Sequence, residues 1–208
     1  MINKEECLLQ LENLSNQFKF TEGFKLLYCP WQRISDARVA FISLNPGKAP
    51  KNIDLRTVED PRGNSYVVER ATTKSPLNEQ FLAMCSFLNR DPEQILTGVF
   101  FPFRSGRWQD LDASQIEAGL DFCRPFWKSA ITENCELVVV LSNFVANQVV
   151  ELLDCKLETE ISSGWGVTKL RRYVAPNGTK VVQLPHLSTF RLFSREDCVA
   201  PLKEVFQV

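Results

Sequence analysis

Apolar residues recur at Cys7, Leu11, Leu14 and Phe18, a 4, 3, 4 spacing that predicts an amphipathic helix early in the chain. Residues 38–44 form a short run of strand formers that stops at Asn45-Pro46-Gly47, where proline and glycine end a strand and open a loop. The polar, aperiodic residues 48–74 read as one long loop, and loops of that length are often functional. Ser75-Pro76 then supplies an N-cap and a first-turn proline for a helix with Leu77, Phe81, Met84 and Leu88 on one face. A second strand is predicted over 97–101, ended by 102–106. Asp112 and Gln115 form the capping box of a third helix, which carries Ile116, Leu120, Cys123 and Trp127. The unbroken apolar run in 136–141 predicts a strand buried on both faces. Ser142 or Asn143 caps the helix after it, to about Leu153. Residues 167–174 and 179–184 flank Ala175-Pro176-Asn177-Gly178 as a hairpin or a strand reached through a turn. Ser194 with Asp197 opens a last helix, which Pro201 should kink or interrupt. This alternation predicts the α/β class, a three-layer α/β/α sandwich around a mainly parallel sheet, with residues 1–208 as one domain.

Composition narrows the function classes. In 208 residues, 44% are apolar and 24% charged, which suits a globular chain with a core of its own. The longest apolar runs are strand-sized, so no membrane partner is expected. The first residues bring acids at once, unlike a signal peptide. Seven cysteines without a CxxC pair read as reduced thiols of a cytoplasmic protein. With one histidine there is no zinc cluster, so no metal is expected apart from an unrecognisable carboxylate site; the chain is expected to be a monomer. Net charge is −1, but residues 161–195 hold no acid and six basic residues, Lys169, Arg171, Arg172, Lys180, Arg191 and Arg195. Such a stretch is either a solvated face or an anion-binding surface.

Ligands of open α/β sheets bind beyond the carboxyl ends of the strands. Three predicted strand ends carry chemistry: Ser43 to Gly47, Pro102 to Ser105, and Leu184 to Ser188. Parallel strands would bring Asn45, Arg104 and His186 to one rim. Taken singly, Asn-Pro-Gly is an ordinary turn and a lone histidine a half-buried imidazole. Their joint placement is what points to a site.

These residues resemble a known family. Asn45-Pro46-Gly47 after a buried strand resembles motif A of the uracil-DNA glycosylase superfamily, in the Gly-x-Asn-Pro-Gly form of its mismatch-specific and single-strand-selective branches. His186-Leu187-Ser188-Thr189 resembles its second motif, usually His-Pro-Ser-Pro, and the likeness runs in order over residues 25–205. It implies a uracil-DNA glycosylase-like fold and a cofactor-free DNA glycosylase that hydrolyses the N-glycosidic bond of a flipped damaged or mismatched base. Asn45 would hold the attacking water or the base, and His186 would donate to the departing base's carbonyl oxygen, where negative charge develops. The base would lie against Leu44, Pro46, Gly47, Val99 and Phe101, with Tyr66 stacked on it. DNA, the implied partner, would be held by Ser188, Arg104, Arg171, Arg172, Arg191 and Arg195. Leu187, Phe190, Leu192 and Phe193 would supply an apolar wedge. The chain departs from the pattern at Ser43, Leu187 and Thr189, lacks the iron–sulfur cysteines of some relatives, and has Val99 where one branch has a base-reading asparagine. The valine implies that undamaged-pair uracil is not the preferred substrate. The departures also support an alternative: a DNA- or nucleobase-binding member of the same fold without hydrolysis.

Overall fold

A computed structural model describes residues 2–48, 55–131 and 135–208. In chain order the elements are α1 (Lys4–Gln17), β1 (Phe24–Lys25), α2 (Arg33–Asp36), β2 (Val39–Ser43), β3 (Arg56–Thr57), α3 (Ser65–Val68) and α4 (Pro76–Phe87). There follow β4 (Leu96–Val99), α5 (Ala113–Ala130), β5 (Leu137–Leu141), α6 (Asn143–Leu152), β6 (Lys156–Ser162), β7 (Lys169–Val174), β8 (Lys180–Leu184) and α7 (Val199–Phe206). Six strands form one sheet in the order β4-β2-β5-β8-β7-β6. The first four are parallel, and β7 and β6 continue the sheet antiparallel. The chain is thus mixed α/β with a mainly parallel central sheet.

Side chains alternate along each strand and so feed two cores. Ala40, Ile42, Val138, Val140 and Val181 pack with α1, α5 and α6 on one face. Phe41, Val139, Leu141, Val182 and Leu184 pack with α4 and α7 on the other. Both faces of β5 are covered, which is why its sequence is an unbroken apolar run. Trp127 of α5 is fully buried, and its Nε1 donates to the carbonyls of Val99 and Phe100 at 3.1 and 3.2 Å. At the sheet's outer edge, residues 26–28 lie beside β4: Val99 N donates to Leu26 O at 3.0 Å and Tyr28 N to Thr97 O at 2.8 Å.

Several expectations shift. Ser75 takes the N-cap position of α4, but its side chain caps nothing. Ser142 rather than Asn143 caps α6, accepting from Val145 N. The last helix starts at Val199, after two 3-10 turns, and Pro201 does not interrupt it. Proline falls in its first turn, whose N–H groups have no intrahelical acceptor to lose. The predicted loop 48–74 contains β3 and α3, and β3 pairs in parallel with β1; its residues 49–54 lie outside the described residues. The sequence also gave no hint of β6, an edge strand with five of its seven residues exposed.

All seven cysteines are free and six are buried. Burial pushes the thiols up, to about 11 at Cys29 and about 12 at Cys85. Among the described residues, no helix is long and apolar enough to cross a membrane. Nor do three or more His, Cys, Asp or Glu side chains gather there as metal ligands.

Candidate functional site

Strand ends build the cleft. Past Ser43, the last residue of β2, Phe100 N donates to Ser43 O and Phe101 N to Leu44 O, both at 2.8 Å, which fixes the chain as it reaches Asn45. Asn45 Nδ2 donates to Ser105 Oγ at 3.1 Å, leaving its Oδ1 as an acceptor, and Pro46 and Gly47 turn the chain away. Two strands along, Pro185 and His186 follow β8. Buried Leu187 anchors that turn, and Thr189 N and Phe190 N both donate to His186 O at 3.0 Å. Neighbouring strands are about 4.8 Å apart, so the ends of β2 and β8, with β5 between them, are separated by about 10 Å. Asn45 and His186 line the same cavity, about 1000 Å³ in volume.

The histidine's tautomer follows from its neighbours. Ser188 N donates to Nδ1 at 3.3 Å and the Ser188 hydroxyl sits 2.6 Å from it, so Nδ1 accepts and the ring proton belongs on Nε2. Desolvation lowers the pKa below the usual histidine value, so the ring is neutral at pH 7. It presents an N–H donor at the cavity mouth.

Residues far apart in the chain make the polar wall. Asp60 accepts from Arg62 Nε and Nη2 at 2.9 and 2.8 Å and from Ser65 Oγ at 2.8 Å. Lys25 Nζ donates to Ser65 Oγ at 2.8 Å, lies 3.9 Å from Asp60 and 3.6 Å from Glu69, and sits 4.3 Å from the centroid of the Tyr28 ring. Burial draws the lysine's pKa down, against those carboxylates. The Arg62 hydrogen bonds, with those of Ser65, hold Asp60 down to about 2. A folded pKa below the unfolded value of about 3.9 stabilises the fold above that pH, and the contribution disappears as pH falls through about 2. In acid titrations of unfolding free energy, wild type minus Asp60→Asn should therefore shrink between about pH 4 and pH 2. A difference that stays flat across that window would contradict this role.

The predicted site residues divide into two groups. Asn45, Pro46, Gly47, Tyr66, Arg104 and His186 line the cavity together. Leu44, Val99 and Phe101 do not: Val99 and Phe101 are fully buried, with Phe101 packed against Phe20, Phe103 and Trp108. A floor of Val99 and Phe101 is thus not what the cavity has. Tyr66 is buried among Tyr28, Phe41 and Phe81, so three aromatic neighbours already surround the ring expected to stack on a base. Its hydroxyl lies near Ser43 without forming a hydrogen bond.

The basic stretch disperses as well. Arg171 Nε donates to Glu160 at 2.6 Å. Arg172 is buried, bonded to Glu158, Thr159 and the carbonyls of Glu204 and Val205, so it ties β6 and β7 to the end of α7. The stretch is acid-free in sequence but not in space, because β6 supplies the acids. Ser188 and Arg191 are exposed beside His186, and Arg195 lies over Trp165 at 4.2 Å. Leu187 and Leu192 are core residues, so they cannot serve as a wedge.

Lys25, Tyr28, Asp60 and Asn78 belong to the site but escaped the sequence reading. A faint mark existed for two of them: Lys25 interrupts the apolar run Phe24 to Leu27, and Asn78 shares a helix face with Phe81. No protein-family model matches this chain, and no curated protein matches it.

Proposed function

We propose that this chain is an N-glycosyl hydrolase that removes a flipped base from DNA, on a fold like that of the uracil-DNA glycosylases. The observation that carries the reading is the pairing of Asn45 and His186, on the ends of separate parallel strands, in the wall of one cavity. His186 Nε2–H donates to a carbonyl oxygen of the departing base, which leaves with the electrons of its C1′–N bond. Asn45 Oδ1 holds a water, whose oxygen adds to C1′ while its proton passes to solvent. Exposed Ser188 and Arg191 lie where the phosphates beside the flipped nucleotide would run.

The cavity's carboxylates favour a second reading, binding without turnover. Asp60 is engaged by Arg62, Ser65 and Lys25, Glu69 by Lys25, and Glu59 by Lys4 and the Trp31 amide. Among the described residues, these three carboxylates are each engaged by a cation, which disfavours them as a general base and favours attack of water on an oxocarbenium-like sugar. The two readings separate in one assay: single- and double-stranded oligonucleotides carrying uracil, mismatched or oxidised bases, scored for abasic sites and for binding. Excision of at least one base is expected. Binding without excision selects the second reading, and neither binding nor excision would remove DNA as the partner.

A further inference from the structure

Six buried side-chain polar atoms among the described residues have no hydrogen-bond partner, and three of them belong to residues that line this cleft: Tyr66 Oη, Asn78 Nδ2 and Arg104 Nε. Their residues are only 5, 3 and 8% exposed. They come from α3, α4 and the segment after β4. Folded chains leave few buried polar groups unmet, so three on one wall call for a ligand. All three can donate, and the two nitrogens can only donate.

Charge points the same way. The ammonium of Lys25 is matched by Asp60 and Glu69, whereas Arg104 has no ion pair among the described residues, its acidic neighbours Glu69 and Glu22 acting only at a distance. The α4 N-terminus also opens here: Ser75, Leu77 and Asn78 line the cavity, and the Ser75 side chain leaves the helix uncapped. Helix N-termini with free N–H groups favour anions. Tyr66 connects the parts, its ring 4.7 Å from Phe81 of α4 and 5.4 Å from Tyr28.

We propose that Arg104, Asn78 and Tyr66, with the N-terminus of α4, form a buried oxyanion subsite that takes a phosphate group. It goes beyond base excision and stands or falls separately from it. The phosphate is either that of a nucleotide drawn into the cleft or free phosphate.

Calorimetric titration of the full chain with inorganic phosphate, deoxyuridine and deoxyuridine 5′-monophosphate distinguishes these sources without any turnover. The monophosphate should bind at least about tenfold more tightly than the nucleoside, and inorganic phosphate should compete with it. Phosphate binding with no gain for the nucleotide would make free phosphate the ligand and still support the subsite. Arg104→Met and Asn78→Leu should each weaken phosphate-dependent binding about tenfold or more. Tyr66→Phe should weaken it less. None of the three should lower the melting temperature, because each swaps an unmet buried donor for an apolar group of similar size. Equal binding of nucleoside and nucleotide without phosphate competition, no binding of any probe, or variants that melt earlier yet bind unchanged would each overturn the proposal.

Discussion

On the proposed reading, base release by the His186→Ala variant should fall about 100- to 1000-fold, the usual cost of one donor aimed at a developing oxyanion. In that reading Ser188 fixes the ring: with Nδ1 accepting from the Ser188 amide, only Nε2 carries a proton. Protonation of Nδ1 would break that bond, so activity needs the neutral ring. The acid limb of the pH–rate profile should accordingly lie below the ordinary histidine value of about 6.5, because burial lowers the pKa of His186. Single-turnover rates across pH test both points. An alanine variant as fast as wild type, or an acid limb above the ordinary value, would end the assignment. Asn45→Ala should lose a comparable factor, since it removes the acceptor that holds water.

Gly164→Ala should cost about 3 kcal/mol or more of unfolding free energy, against about 1 kcal/mol for Gly166→Ala in the same turn. Both glycines have positive φ, +78° and +57°, so both substitutions carry backbone strain. They differ in what a Cβ would meet. At Gly166 nothing lies within 4 Å, whereas at Gly164 it would come within 2.1 Å of the Asp197 carbonyl oxygen. Backbone cannot rotate away as a side chain can, so the turn between β6 and β7 must lift off the segment that follows His186. Trp165, under the Arg195 guanidinium and edge-to-face with Phe190, would lose its seat at the same time. Urea unfolding of the two variants tests this, and equal midpoints would refute it.

The layers of this fold were legible where local chemistry agreed with burial. Asp112 and Gln115 do close the capping box of α5, with Asp112 accepting from Gln115 N at 2.8 Å and Gln115 from Asp112 N at 3.0 Å. The valines of β5 announced a strand covered on both faces. Strand β6 was illegible because Lys156-Leu157-Glu158-Thr159-Glu160-Ile161-Ser162 is extended only through its pairing with β7, which no local pattern encodes. The site divides along the same line. Asn45 and His186 stood out because motifs and strand ends mark them. Lys25, Asp60 and Asn78 assemble through contacts between distant segments, and a charged residue destined for burial looks like any surface charge until its partners are known. Arg172 shows the reverse error: its placement in a basic run suggested phosphates, yet its fork serves the carbonyls at the end of α7.

The segment beside β4 gives the cleft a hidden dependence. An uncovered edge strand offers its free amides and carbonyls to any other chain, and proteins guard such edges against self-association. Here residues 26–28 are the guard on one side, while charged Lys156, Glu158 and Glu160 stud β6 on the other. The guarding backbone is also the one that delivers Lys25 and Tyr28 to the cavity wall. Damage that peels this segment away would empty the wall and bare the sheet in one event, so loss of the cavity and aggregation are a single hazard for this protein.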